Sequence, residues 1–410
     1  MKRPRDFFAA GIHRHYFNAP GYYRHLITSG ILLSVIGAVS LVFLAAFRNP
    51  PDEAQAASGE AGASGPAGML VLEVSTRADL LPQLAASLNE IPEIETVTEI
   101  RSGIRWLSAW NAEGGPESRS PGGYLIPMDV GAVNPEEYQE MLPEVTRGTL
   151  MDLGVGAILS RTAAGIRGIT EKGNLQFGPI SIPVVAVVDD ELTLGHEMLI
   201  TNQNADGFGI TNNRYLVVAV SSADDGAEVT AEIQKQVPRD VPLKVRTPLN
   251  SGYGDGPGLL SMGEIKAAFG EFPARPGAGV DISIPQSWID ENTSLETVPL
   301  LGEFRCHKAL FPQIRGAIAE IEKQGLGSLI NSADFGGCFS PRFIRAGKEG
   351  GLSRHAWGAA IDFNVSHNLM GHVPTIDQRI VNIMGDWGFT WGGNWTVPDG
   401  MHFEFLRKVS

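Results

Sequence analysis

Cysteine is almost missing from this chain, with two in 410 residues, Cys306 and Cys338. No CxxC spacing exists, which excludes a thiolate zinc site and a dithiol redox motif. The pair is left as two buried thiols or, if this part of the chain is exported, as one disulfide. Positive charge is also scarce: 32 Lys and Arg face 46 Asp and Glu, for a net charge of −14. Phosphate backbones require a basic face, so nucleic acid is excluded as a partner. The glycine cluster Gly252-Tyr253-Gly254-Asp255-Gly256-Pro257-Gly258 has no lysine in P-loop position, so it is no phosphate cradle. Residues Asn49–Gly68 contain no aromatic and no large aliphatic residue. Such a stretch cannot bury enough surface to order itself and reads as a flexible stalk over 48–68.

What is present begins with a basic arm over 1–25, with Lys2, Arg3, Arg5, Arg14 and Arg24 against one acid, Asp6. Leu26–Phe47 follows, 22 residues without a charge. At about 1.5 Å per residue a helix of that length spans the roughly 30 Å hydrocarbon layer. The basic flank precedes it, so the positive-inside rule places residues 1–25 in the cytoplasm and everything after 47 outside. Ala54-Gln55-Ala56 resembles a signal-peptidase site, but the apolar run is longer than a signal h-region, which favours an uncleaved single-pass anchor.

The length suggests two or three domains, and 43% hydrophobic residues suffice for packed cores. Met69–Ser75 alternates as a strand, and Leu80, Leu81, Leu84 and Leu88 have helical spacing. Val97–Ile104 and Tyr124–Val130 are strand candidates separated by a loop insertion at 111–123, and Pro135–Met141 reads as a short helix. This β-α-β-β-α order predicts a ferredoxin-like unit within an α+β domain over 69–250. GAILSRTAAGIRGI (156–169) and VVAVVDDELTLGHEMLIT (184–201) loosely resemble the extracytoplasmic domain of macrolide-exporter-type ABC permeases. That resemblance implies a binding or positioning domain, with a membrane protein as its possible partner. Residues 251–279 read as a Gly/Pro-rich linker, and 280–410 as the last domain.

In that last domain Leu310, Ile314, Ile318 and Ile321 share a helix face, with Gly325 placed to cap it. A strand is expected from Leu329–Ile330. A second helix, capped by Thr375 and Gln378, would bury Ile376, Ile380, Ile383 and Trp387. Two helices over a small antiparallel sheet are the expected architecture.

The chemistry concentrates in SRHAWGAAID (353–362) and DGMHFE (399–404). Gly358, Ala359 and Ala360 allow a tight turn between His355 and Asp362, and His402 enters from another strand. His, Asp and His are three nitrogen and oxygen ligands, a set that suits zinc with an open fourth position. A zinc site of that kind acidifies water and polarises a carbonyl, and a base is then needed to carry the proton to a leaving amine. Asp399, on the Pro398-Asp399-Gly400 turn, is preferred for that role. Glu404, on the face of His402, is either its hydrogen-bond partner or the rival base. Trp391 and Trp395 either wall a groove or pack in the core. His13, His15, His196, His307, His367 and His372 have no ligand partner legible in sequence.

SRHAWGAAIDFN with WGFTWGGNWTVPDGMHFEF resembles the M15 zinc peptidases, D-alanyl-D-alanine carboxypeptidases and L-alanyl-D-glutamate endopeptidases that cut peptidoglycan stem peptides. The family pattern SxHxxGxAxD is met at Ser353, His355, Gly358, Ala360 and Asp362, and DxxH at Asp399 and His402. The resemblance, over about 300–408, implies Zn2+ on His355, Asp362 and His402, with Asp399 as base. It also implies a substrate-holding arginine, Arg342 or Arg345 in CFSPRFIR, with Arg342 preferred; Ser353 and Trp391 are the further candidates for contact with substrate. A membrane-anchored, extracytoplasmic zinc peptidase is the expectation. Its rival is a catalytically silent peptidoglycan-binding or permease-adaptor module that keeps the fold.

Overall fold

A computed structural model of the chain describes residues 69–142, 147–148, 150–239, 241–246, 259–344, 351–395 and 397–409. The basic arm, the expected anchor, the stalk, Arg345 and the whole glycine cluster at 252–258 lie outside them. Among the described residues no helix is long and apolar enough to cross a membrane.

The first part is a mixed sheet of eleven strands. In chain order they are β1 (Leu70–Ser75), β2 (Ile94–Leu107), β3 (Ala109–Ala112), β4 (Ser118–Arg119), β5 (Ile126–Val133), β6 (Ala157–Ser160), β7 (Gly173–Phe177), β8 (Ile180–Val188), β9 (Met198–Thr201), β10 (Asn213–Val220) and β11 (Lys244–Arg246). Their spatial order is β11-β1-β10-β2-β5-β9-β6-β8-β7-β3-β4. The end β11-β1-β10-β2 is antiparallel throughout. With helices α1 (Leu81–Leu88) and α5 (Gly226–Gln236) it forms a split β-α-β unit. The expected unit had other members. Its third strand and second helix are Tyr124–Val130 and Pro135–Met141, whereas the chain uses β10 and α5. The strand β5 and the helix α2 (Pro135–Glu140) belong to an insertion between β2 and β10, which also carries α3 (Arg161–Arg167) and α4 (Asn202–Gly207). The expected loop at 111–123 contributes the end of β3 and the edge strand β4.

β10 explains the apolar run Leu216–Val220. Leu216, Val218 and Val220 pack with α1 and α5, while Val217 and Ala219 meet Tyr138, Leu142 and Leu153 on the other face. A strand covered on both sides has no polar face to keep.

The described part of 251–279 is folded and is not a linker. Within that expected linker, Met262–Phe269 is a helix, α6, opened by a capping box between Ser261 and Glu264. Its Ile265 and Phe269 are buried in the same core as the C-terminal elements, and Ile104 of β2 joins that core. Lys266 fastens α6 to the first part of the fold. Its Nζ lies 2.9 Å from both Glu197 carboxylate oxygens and 3.0 Å from Glu271 Oε1. Arg167 completes the cluster, 2.9 Å from Glu271 and 3.3 Å from Glu197. Burial raises the Glu271 pKa, but the charges of Lys266 and Arg167 outweigh it and leave the carboxyl below its ordinary range.

Beyond α6 come β12 (Arg275–Pro276), β13 (Ile282–Ser283), α7 (Gln286–Asn292), β14 (Thr293–Val298), β15 (Gly302–His307), α8 (Phe311–Lys323), β16 (Phe335–Gly337), β17 (Ala360–Phe363), α9 (Gln378–Asp386), β18 (Phe389–Trp391) and β19 (His402–Phe405). The last four strands form an antiparallel sheet, β16-β17-β19-β18. α8 buries Phe311, Ile314, Ala317, Ile318 and Ile321. Gly325 follows it with φ +72°, and the next amide bonds back to the Ile321 carbonyl. Residues 327–329 make a 3-10 turn where a strand was expected. α9 is capped by Asp377, which accepts from Arg379 N at 2.9 Å. Thr375 is unavailable as the cap because its amide and hydroxyl both bond to Asn368 Oδ1.

Candidate metal centre

Two loop-to-strand junctions build the site. Ser353 opens a 3-10 turn over Arg354–Ala356, its Oγ accepting from His355 N at 3.3 Å. The chain then turns at Gly358, whose φ is +66° and where a Cβ would lie 2.6 Å from His307 N. Only glycine fits there. β17 carries Asp362 directly opposite His402 of β19, so the two side chains share a sheet face. Ala360 faces Glu404 in the same register two residues on.

The three candidate ligands converge. His355 Nε2 lies 3.1 Å from Asp362 Oδ2 and 3.2 Å from His402 Nδ1, and His402 Nδ1 lies 2.9 Å from Asp362 Oδ1. All three residues are buried, and theirs is the group of possible metal-ligating side chains found among the described residues. Tetrahedral zinc with bonds of about 2.0–2.2 Å separates its ligand atoms by roughly 3.3–3.6 Å, close to the spacing here. The far nitrogens are both occupied, as ligand imidazoles require. His355 Nδ1 donates to the Cys338 carbonyl at 2.7 Å, and His402 Nε2 lies 3.2 Å from Glu404 Oε2. Cys338 is itself joined to Cys306 by a disulfide.

The electrostatics ask for a cation between these groups. Burial lowers the His402 pKa, but hydrogen bonds to Asp362 and Glu404 prevail and raise it to about 10. Burial also disfavours the Asp362 carboxylate, yet hydrogen bonds from His355 and His402 hold its pKa well below the usual range. The residues present fit zinc.

Asp399 sits on the turn between β18 and β19, its amide bonded to the Gly392 carbonyl and its own carbonyl accepting from His402 N at 3.1 Å. A Cβ at position 392 would lie 2.7 Å from the Asp399 carbonyl and 3.3 Å from His402 Cβ, so Gly392 lets the turn fold close. Burial raises the Asp399 pKa and the nearby Asp362 charge adds to it, while His402, His355 and Arg342 pull it down. Its Oδ1 is buried without a hydrogen-bond partner among the described residues. Glu404 meets His402 across the ring from the ligand-facing nitrogen. Burial opposes its charge, but the His402 hydrogen bond and the Arg354 charge keep its pKa below the ordinary value.

Arg342 is half-buried, and its charge reaches Asp399. Ser353, besides capping the turn, donates its amide to the Arg342 carbonyl at 3.1 Å. Of the two tryptophans, Trp395 faces the site, its ring 5.1 Å from that of His402. Trp391 instead stacks on Phe403 and donates Nε1 to the Gly400 carbonyl at 2.8 Å. His307 is buried, its pKa lowered to about 4 by that burial. His367 and His372 are exposed, and His196 bridges Asp129 at 2.8 Å and Tyr215 at 2.9 Å. Two contributors had no signal in sequence. The Cys338 carbonyl acts through its backbone, and Arg354 looks like any variable position of the motif.

No curated protein matches the chain. Among solved structures it is similar to the periplasmic region of MacB from Actinobacillus actinomycetemcomitans, at 12% identity and TM-score 0.30, over 43% of this chain and 88% of that one. It is similar also to the extracellular domain of the noncanonic ABC-type transporter YknZ from Gram-positive bacteria, at 13% identity and TM-score 0.28, over 44% of this chain and 100% of that one. These likenesses lie in the first part of the fold. The stretch that carries His355, Asp362, Asp399, His402 and Glu404 has its own relative: residues 346–405 match the M15 peptidase family model described as D-alanyl-D-alanine carboxypeptidase.

Proposed function

We propose that the chain is a zinc-dependent peptidase, anchored by residues 26–47 and acting outside the membrane on peptidoglycan stem peptides. The convergence of three buried ligand atoms beside a buried carboxylate of raised pKa carries this reading. His355 Nε2, Asp362 and His402 Nδ1 would hold the ion. When bound, zinc would supply Lewis acidity, polarising a carbonyl and acidifying water. Asp399 takes the proton of the attacking water and passes it to the leaving amine nitrogen as the peptide C–N bond breaks. Its raised pKa suits a group that must accept and then release a proton. Arg342, whose charge is felt at Asp399, is placed to bind a substrate carboxylate or carbonyl oxygen. Glu404 orients His402 rather than serving as base, because it bonds the ring nitrogen that faces away from the other ligands. The disulfide supports an oxidising, extracytoplasmic setting.

The test is digestion of purified peptidoglycan by the detergent-solubilised full chain, with products weighed by mass spectrometry. Loss of a terminal D-alanine, or cleavage within the stem, that disappears on chelation and in Asp399→Asn supports the proposal. Binding to the wall without cleavage by the zinc-loaded chain would favour the silent binding module.

A further inference from the structure

The turn that bears His355 is gripped from both ends of α6. Ahead of the helix, the Leu260 carbonyl accepts a hydrogen bond from Arg354 Nη2. Behind it, the Gly270 carbonyl accepts from Trp357 Nε1 at 3.0 Å, and the Phe272 ring lies 4.6 Å from that of Trp357. Arg354 also reaches into the site: its Nε lies 3.8 Å from Glu404 Oε1, with side-chain exposures of 15% and 5%. The other oxygen of Glu404 meets His402 Nε2 at 3.2 Å. A continuous chain thus runs from the Leu260 carbonyl through Arg354 and Glu404 to the imidazole whose opposite nitrogen faces Asp362. α6, next along the backbone from Leu260, is fastened to the eleven-stranded sheet's side of the fold by Lys266 and the Glu197–Arg167–Glu271 cluster.

We propose that Arg354 is a positioning residue for the metal site, holding Glu404 against His402 while tied to Leu260, so that the middle region is built into the site and not appended to it. The physical need is plain. Glu404 is 4% exposed, and a carboxylate so buried requires more than one partner. Partners that fix a ligand imidazole are worth about 10–100-fold in metal affinity. Arg354 has the geometry for this because a guanidinium offers donors on two sides, one toward a carboxylate and one toward a carbonyl. Lysine offers its donors from a single point and lacks the separated nitrogens of the guanidinium.

The proposal rests on the metal-site reading above, and the experiment separates the two. The full chain is prepared as wild type, Arg354→Met, Arg354→Lys, Glu404→Gln and the Arg354→Met/Glu404→Gln double variant. Zinc affinity is measured by chelator competition, and the visible absorption of the Co2+-loaded protein reports ligand geometry. Arg354→Met is expected to bind zinc about 10–100-fold more weakly with an altered Co2+ spectrum. Arg354→Lys should fall between it and wild type, and the double variant should lose no more than the weaker single one. Wild-type affinity and spectrum in Arg354→Met, or additive losses in the double variant, overturn the proposal. Should Arg354→Met fail to fold, Arg354→Lys decides: a spectrum and affinity identical to wild type overturn it. A wild-type chain that takes up no stoichiometric metal refutes the metal-site reading itself, an outcome no Arg354 variant can produce.

Discussion

Removing the Cys306–Cys338 disulfide should weaken both the fold and the metal site. The cross-link joins residues separated by 32 positions. In the chain-entropy model a loop of that size costs the unfolded chain an entropy equivalent to about 3.7 kcal/mol at 25 °C. The bond also holds Cys338, whose carbonyl accepts the 2.7 Å hydrogen bond from His355 Nδ1. Loosening that carbonyl frees the ring to rotate, and roughly tenfold in zinc affinity should go with it. Cys306→Ala/Cys338→Ala is the cleaner perturbation, because reduced thiols would themselves compete for zinc. Urea unfolding is followed in chelator, so that metal binding adds nothing to the native state. Zinc affinity is measured separately by competition. A variant that unfolds within about 1 kcal/mol of wild type refutes the entropic argument. One that loses stability but binds zinc within twofold of wild type refutes the link from the disulfide to His355.

Asp399→Asn should lower kcat by about 10²–10⁴-fold while leaving zinc affinity unchanged, since it removes the proton acceptor and no ligand. Because burial and Asp362 raise the Asp399 pKa, activity should climb with pH along a limb lying above the ordinary carboxylate value of about 4. A limb at or below that value counts against Asp399 as base. In metal-free protein the His402 pKa stands near 10 against about 6.5 unfolded, so its contribution is full below 6.5 and is lost as pH rises toward 10. Asp362, with its pKa depressed, contributes above its unfolded value of about 4 and loses that as pH falls. Melting temperatures of chelated protein should therefore peak between about pH 4 and 6.5, and His402→Gln should flatten the alkaline side. Lys266→Met leaves Glu197 and Glu271 to share the charge of Arg167 and should cost about 3–5 kcal/mol in urea unfolding. Pairing it with Glu197→Gln should restore part of that loss, and strict additivity would argue against a shared cluster.

The candidate ligand set was readable along the chain because its members sit in two short motifs, 353–362 and 399–404, on turns with small residues. Gly358 and Gly392 are needed for backbone reasons that sequence shows only as glycine. Helix α8 was equally legible, since its periodicity and its capping glycine are local properties. The membership of the split β-α-β unit was not. Periodicity identifies a strand but not its neighbour, and the insertion between Leu107 and Asn213 moves the third strand far from the second. The helix at Met262–Phe269 was hidden for a different reason: glycines upstream lent their character to a stretch whose own Ser261–Glu264 box signals a helix start.

Sequence alone thus determined the donor types, their order and the turn that carries Asp399, because each is local to one of two short motifs, 353–362 and 399–404. Tertiary structure decided which carboxylate faces which ring nitrogen and which tryptophan reaches the site. It also decided that Leu260, Arg354 and Glu404 form one line to His402. Those relations join residues up to 144 positions apart, from Leu260 to Glu404. Only the packing of α6 between the two parts of the fold brings them within reach of a hydrogen bond at Leu260 and His402 and an ion pair between Arg354 and Glu404.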